Sequence, residues 1–364
     1  MSFNDLDGAE SWIKRSSILS ASVLASRAAA RGLPIIFNKG ERITDNEILR
    51  VFRGMHAAIT ASSVATMSPE LEAALVSASE FTHEFSDFAN RACLVSTRNA
   101  NRKPLTGKNV DSYYSGGGGR SENPDAIAAS ASDAEAIDID LPNAIRAPLW
   151  RDVEQPSWFS NGWADGAQLM MRNSATWAHW VKWFEDIIEG SPIDWELQLR
   201  VALMSDAIWD RGPATVASEI EKIHLMLMTQ HANDLLIEHV RSIPSELAGI
   251  GHNKPPEGIT DFPIIHYEFS QILTATSVVQ TELEETSPDQ SRLQDSLDVL
   301  GKVLASAAKW SAKKLDTSLD EFLKTLAKSG AIAVSGAAGA WLLDLNSKLA
   351  TLIEMLSKYI GTLS

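Results

Sequence analysis

Cysteine is nearly absent from this chain: Cys93 is the single one in 364 residues. An internal disulfide needs two thiols and a cysteine-based zinc site needs more, so neither can hold this chain together. Positive charge is also scarce, with 32 Lys and Arg against 47 Asp and Glu, a net charge of -15. A general nucleic-acid binder needs a basic face to displace counterions, so nucleic acid is not an expected partner. Long hydrophobic runs are missing as well. The uncharged stretch from Ser329 to Leu343 holds fifteen residues, short of the ~20 that a spanning helix needs. The acidic start, Met-Ser-Phe-Asn-Asp-Leu-Asp, lacks the basic and then apolar pattern of a secretory signal. A cytoplasmic protein is expected, and its tail is the one part that would bring it to a membrane surface.

What is present is a globular balance, with 45% hydrophobic and 22% charged residues, enough to bury a core. No run of alternating β-branched residues is bounded by hairpin turns, and no sequence repeat is evident. The expected fold is mainly α: bundle-like N-terminal and Trp-rich regions, a connector, and a C-terminal helical domain or hairpin.

Residues 1–98 form the first helical region. Thr44 and Glu47 have the spacing of a capping box, and Ile48, Val51, Phe52, Met55 and Ile59 follow at helical spacing. Ser68-Pro69 marks a second helix start. Residues 99–125 break the pattern, and Gly116 to Gly119 predict a flexible linker, because four glycines lose much backbone entropy on ordering. Residues 126–243 form a Trp-rich helical domain that ends one helix at Gly190 and starts another at Gly212-Pro213. Its stretch from 150 to 243 carries eight of the eleven tryptophans, with 7 basic and 14 acidic residues. Residues 244–262, with Pro244, Pro255 and Pro256, read as a connector. Residues 263–364 complete the chain as a C-terminal helical domain. There Ser287-Pro288-Asp289 opens a helix with Leu293, Leu297, Leu300 and Leu304, and Leu345, Leu349, Leu352, Leu356 and Ile360 line the last one.

Two stretches are distinctive. One runs from Ala147-Pro148-Leu149-Trp150 through Pro156-x-Trp158 to Trp177-x-x-Trp180-x-x-Trp183-Phe184-Glu185-Asp186, then into Ile208-Trp209-Asp210-x-Gly212-Pro213-Ala214 and Glu219-Ile220. The other is Gly249-Ile250-Gly251-His252-Asn253-x-Pro255-Pro256-Glu257. In these stretches, which span residues 126–258, the chain resembles an uncharacterised family of bacterial proteins. The resemblance implies a mostly helical protein, in some members with a helical Gly/Ala-rich tail. It implies no activity.

Nucleophilic catalysis has no motif to rest on. There is no Gly-x-Ser-x-Gly elbow, Gly116 to Gly119 lead into no Lys-Ser/Thr, and no dinucleotide fingerprint follows a strand. Metal chemistry has a thin pattern. Glu80/His83 and Glu221/His224 are two Glu-x-x-His pairs, with Glu47 before the first and Glu185 between them. That is the order found in di-iron carboxylate bundles. Glu is abundant and there are eight His, so surface and capping roles are the plainer reading, and no cofactor is predicted. His231, Asp234, Glu238 and His239 lie close together on one helix and read as a solvated face.

The candidate interaction residues are of three kinds. Trp177, Trp180 and Trp183, three apart, share one side of a helix; the plain reading is a core stripe, the functional one an aromatic binding surface. His252 and Asn253 sit in a constrained loop and suit a docking motif or a simple connector. In the tail, Gly336 and Gly339 let helices approach closely, and Trp341 precedes an amphipathic helix. The tail reads as an ordinary buried helix pair, as an oligomer interface, or as a hairpin at a membrane. The expected function is a non-enzymatic interaction or assembly protein, binding itself or another protein. The alternatives are a di-metal helical-bundle enzyme, or a membrane-acting bacterial or phage-linked defence or toxin component.

Overall fold

The computed structural model describes residues 11–12, 15–38, 43–64, 68–82, 124–242, 263–317 and 332–363. Among them the chain is mainly α, with no strand. Contacts group it into two compact units, Met1–Ile220 and Glu221–Ser364. The division falls within a helix, whereas composition alone places the last boundary in the Pro/Gly connector.

The N-terminal unit is built around one buried helix. In chain order its helices are α1 (Ile18–Gly32), α2 (Ile35–Asn38), α3 (Asp45–Ser63), α4 (Pro69–Thr82), α5 (Pro124–Ile139) and α6 (Leu141–Arg146). Then come α7 (Ser157–Met170), α8 (Ser174–Glu189), α9 (Trp195–Ala202), α10 (Asp206–Trp209) and the first turns of α11 (Pro213–Arg241). The expected capping box opens α3: Glu47 N donates to Thr44 Oγ1 at 3.3 Å, and Thr44 N donates to Glu47 Oε2 at 2.6 Å. From Ile48 to Ser62 almost every residue of α3 is buried, polar ones included. A helix buried on all sides must be surrounded, and α1, α4 and α9 pack on it. Alanines at 29, 57, 58, 61, 78 and 202 form much of that seam. Their small side chains allow Ser26 Oγ on α1 to donate to the Ala58 carbonyl at 3.2 Å.

Gly190 ends α8 with a left-handed φ of 71°. A side chain there would come within 2.6 Å of Pro148 N, so this position requires glycine both for its dihedral and for its neighbour.

The C-terminal unit gathers four helices around one aliphatic core: residues 221–241 of α11, α12 (Pro263–Glu284), α13 (Gln290–Thr317) and α14 (Ile332–Thr362). Leu236, Ile272, Leu293, Leu300, Leu349, Leu352 and Leu356 are fully buried within it. The spacings of three, four and seven keep one stripe of each helix facing inward. The short link from α12 to α13 makes them antiparallel neighbours. It is closed by Glu282, which is 2% exposed. Its carboxylate accepts from Asp289 N at 2.8 Å and pairs with Arg292. On the other side Asn233 Nδ2 donates to the Thr276 carbonyl at 3.2 Å, tying α11 to α12.

Candidate functional site

The tryptophan stripe is core. Trp177, Trp180 and Trp183 on α8 are 1%, 0% and 3% exposed. All three pack on Phe52 of α3, with ring centroids 6.4, 5.4 and 6.2 Å away. Helices α3 and α8 therefore share one core, and this aromatic face is closed to a partner.

Inside that core lies a histidine. His56 is fully buried, with its ring 5.1 Å from Trp183 and 5.6 Å from Trp180. Its Nε2 is 2.7 Å from Gln198 Oε1. The carboxamide oxygen accepts, so the proton sits on Nε2. Burial pushes the imidazole down to about 3; the Gln198 hydrogen bond opposes this and nearby His179 adds to it. A ring that is neutral at pH 7 and sealed from solvent cannot exchange protons with a substrate, so we read His56 as structural.

Two buried arginine clusters escaped sequence reasoning. Arg27 and Arg31 on α1 converge on Asp133 of α5, Arg27 Nε lying 2.9 Å from its Oδ2. Arg27 also donates to the carbonyls of Ala147 and Pro148 at 2.8 and 2.6 Å. Arg31 Nε donates to the Leu149 carbonyl at 3.1 Å, and its guanidinium lies 5.5 Å from the centre of the Trp150 ring. The Ala147–Trp150 stretch is thus held by two guanidiniums that share one carboxylate. Arg27 and Arg31 stand four apart on an otherwise uncharged helix, the one signal that could have pointed to them. In the second cluster Arg53 on α3 pairs with Asp206, donates to Ser77 Oγ at 3.1 Å, and covers Trp209 at 5.1 Å. Burial opposes ionisation of Asp206, but the Ser77 hydrogen bond and the Arg53 guanidinium outweigh it and hold the carboxyl below its ordinary value.

The metal candidates do not assemble where they are described. Glu47 is taken up by its capping box, where Thr44 holds its carboxyl below the usual range. Glu80 is on α4 and Glu185 is half-buried on α8, while Glu221 and His224 are exposed on α11. His83 lies outside the described residues. Among the described residues no three His, Cys, Asp or Glu side chains are grouped as metal ligands. His252, Asn253, Cys93 and the Gly116–Gly119 linker also lie outside them.

The tail residues divide. Gly336 and Gly339 lie on α14, in its first turns. Trp341 is 8% exposed and packed between His239 and Phe269. Of the polar group on α11, His231, Asp234 and Glu238 are exposed, and His239 turns inward to the tail. No helix among the described residues is long and apolar enough to cross a membrane. An open groove of about 420 Å³ lies between α12 and α13, lined by Ser270, Thr274, Ser296, Arg292 and Asp295. Its charges are already engaged in part, Arg292 by Glu282.

Compared with protein-family models, with curated proteins and with solved structures, the chain matches none.

Proposed function

We propose that this chain is a non-enzymatic assembly protein whose C-terminal bundle makes protein–protein contacts, with a second copy as the first partner to test. The observation that carries the reading is the outer face of α11. Met228 and Leu235 are 42% and 38% exposed there. Seven residues apart, they fall on the same side of the helix. Leu273 on α12 and Leu343 on α14 are exposed at 39% and 70%. Large apolar side chains left in water on one helix face are the material of a helix-to-helix contact. The aromatic stripe offers no such surface, because Phe52 and its neighbours cover it.

Light scattering coupled to gel filtration, on the full chain, tests this. An oligomer is expected, and a Met228→Glu/Leu235→Glu double variant should be monomeric with an unchanged far-ultraviolet circular dichroism spectrum. A wild-type monomer would overturn self-association. A monomer that instead floats with lipid vesicles would move the reading to the membrane surface.

A further inference from the structure

The start of α14 is fastened to the bundle through one histidine. The Trp341 ring lies face to face with the His239 ring of α11, centroids 4.6 Å apart and planes 15° from parallel. Its other side meets Phe269 of α12 edge-on at 5.6 Å. His239 Nε2 is 2.9 Å from the Trp341 carbonyl oxygen, and Nδ1 is 3.3 Å from Asp344 Oδ2. Both are acceptors. A neutral imidazole has one N–H and can donate to one of them; an imidazolium has two and donates to both. The imidazolium also places its charge over the indole face.

Among the described residues, further charged groups near the ring lie on α14 and α11. On α14, Lys348 Nζ is 3.4 Å from the same Asp344 oxygen. On α12, His266 and Glu268 precede Phe269 in sequence, and no charged residue follows until Glu282. On α11 itself, Glu238 and Arg241 are exposed neighbours.

We propose that His239 is a proton-operated latch on the C-terminal helix. Proton uptake fastens Trp341, and with it the Gly/Ala-rich first turns of α14, to α11; proton loss leaves one acceptor unmet and loosens them. Histidine is the side chain whose charge ordinarily changes between about pH 5 and 8. The helical segment it holds depends on such an anchor, because Gly336 and Gly339 are poor helix formers. The proposal stands whether or not the bundle self-associates.

Hydrogen exchange by mass spectrometry on the full chain tests it, with rates corrected for the intrinsic pH dependence of amide exchange. Peptides covering 332–343 should be roughly tenfold more protected at about pH 5.5 than at about pH 8, the size of one charge-assisted hydrogen bond. Peptides covering 353–362 serve as the internal reference and should not change. His239→Gln should bring the ratio to one. Asp344→Ala, on a half-exposed side chain, removes the second acceptor and should do so without disturbing the core. Equal protection of 332–343 at the two pH values in the wild type would overturn the latch, as would a full ratio in either variant.

Discussion

In the N-terminal unit the largest fully buried side chains are Trp177, Trp180, Arg31, Phe52, Phe159 and Phe184; in the C-terminal unit Tyr359 is the largest, and the others are leucines and Ile272. The first unit buries charge in its middle, where Arg27 and Arg31 share Asp133. The second pairs Glu282 with Arg292 at the link from α12 to α13, and His239 with Asp344 between α11 and α14. A leucine core is made of many similar contacts, each replaceable at moderate cost. A core of guanidiniums, indoles and one imidazole works only if each polar atom finds its partner, and those partners lie far apart in sequence. The N-terminal unit should therefore fail abruptly at a few positions, and the C-terminal unit gradually at many. The chain supplies its own reporter: nine of the eleven tryptophans lie in residues 1–220, so their fluorescence follows the first unit almost alone.

The largest effect is expected from Asp133→Ala. It strands two buried guanidiniums, and losing one partner of a buried ion pair costs about 3–5 kcal/mol. Urea unfolding followed by tryptophan fluorescence should shift by that amount. Helical signal from the second unit should persist at urea concentrations where the first has unfolded. Loss of both signals together would mean that the two units unfold as one.

Acid should separate the units next. His56 titrates at about 3 in the folded chain against an ordinary ~6.5 when unfolded. The unfolded chain binds more protons between these values, so the stabilising contribution is complete above pH ~6.5 and is lost as pH falls toward 3. The slope is about 1.4 kcal/mol per pH unit. Urea midpoints read by fluorescence between about pH 5 and 7 should fall with acid in the wild type and stay level in His56→Gln, which keeps a side-chain amide facing Gln198. A wild-type midpoint that does not move would show that the imidazole is hydrated. The His239 latch runs the other way, tightening with acid, so the two histidines are distinguishable by sign.

Thr44→Ala should give the smallest effect. Losing this cap costs about 1 kcal/mol, read in the same fluorescence experiment. A much larger loss would mean that α3 is organised by its N-terminus more than by the aromatic rings around it.

Several features were legible in the sequence because their causes are local. Thr44 and Glu47 are three residues apart, and their hydrogen bonds close within one helical turn. The glycine at 190 ends α8 because its left-handed backbone is a property of the chain there. The tryptophans at 177, 180 and 183 share a side because a helix repeats every 3.6 residues. The leucines of α13 and α14 show their buried stripe for the same reason. The six-residue Glu/His pattern was also legible as spacing, yet spacing carries no information on whether Glu47 is already engaged by Thr44.

What lay beyond the sequence depends on residues that meet only after folding. Arg31 and Asp133 are separated by 102 positions and His56 and Gln198 by 142. A pattern of neighbours cannot reveal such pairs. The boundary between the units is of the same kind. Composition changes at the Pro/Gly connector, while α11 continues unbroken through Ile220 as its surroundings change. Sequence alone determined that the chain is helical, where several helices begin and end, and which stripe of each is apolar, since these follow from backbone geometry and local side-chain chemistry. Tertiary structure alone decided that the tryptophans pack on Phe52, that two arginines share one carboxylate, and that His239 meets Trp341, because long-range pairing is a property of the assembled core.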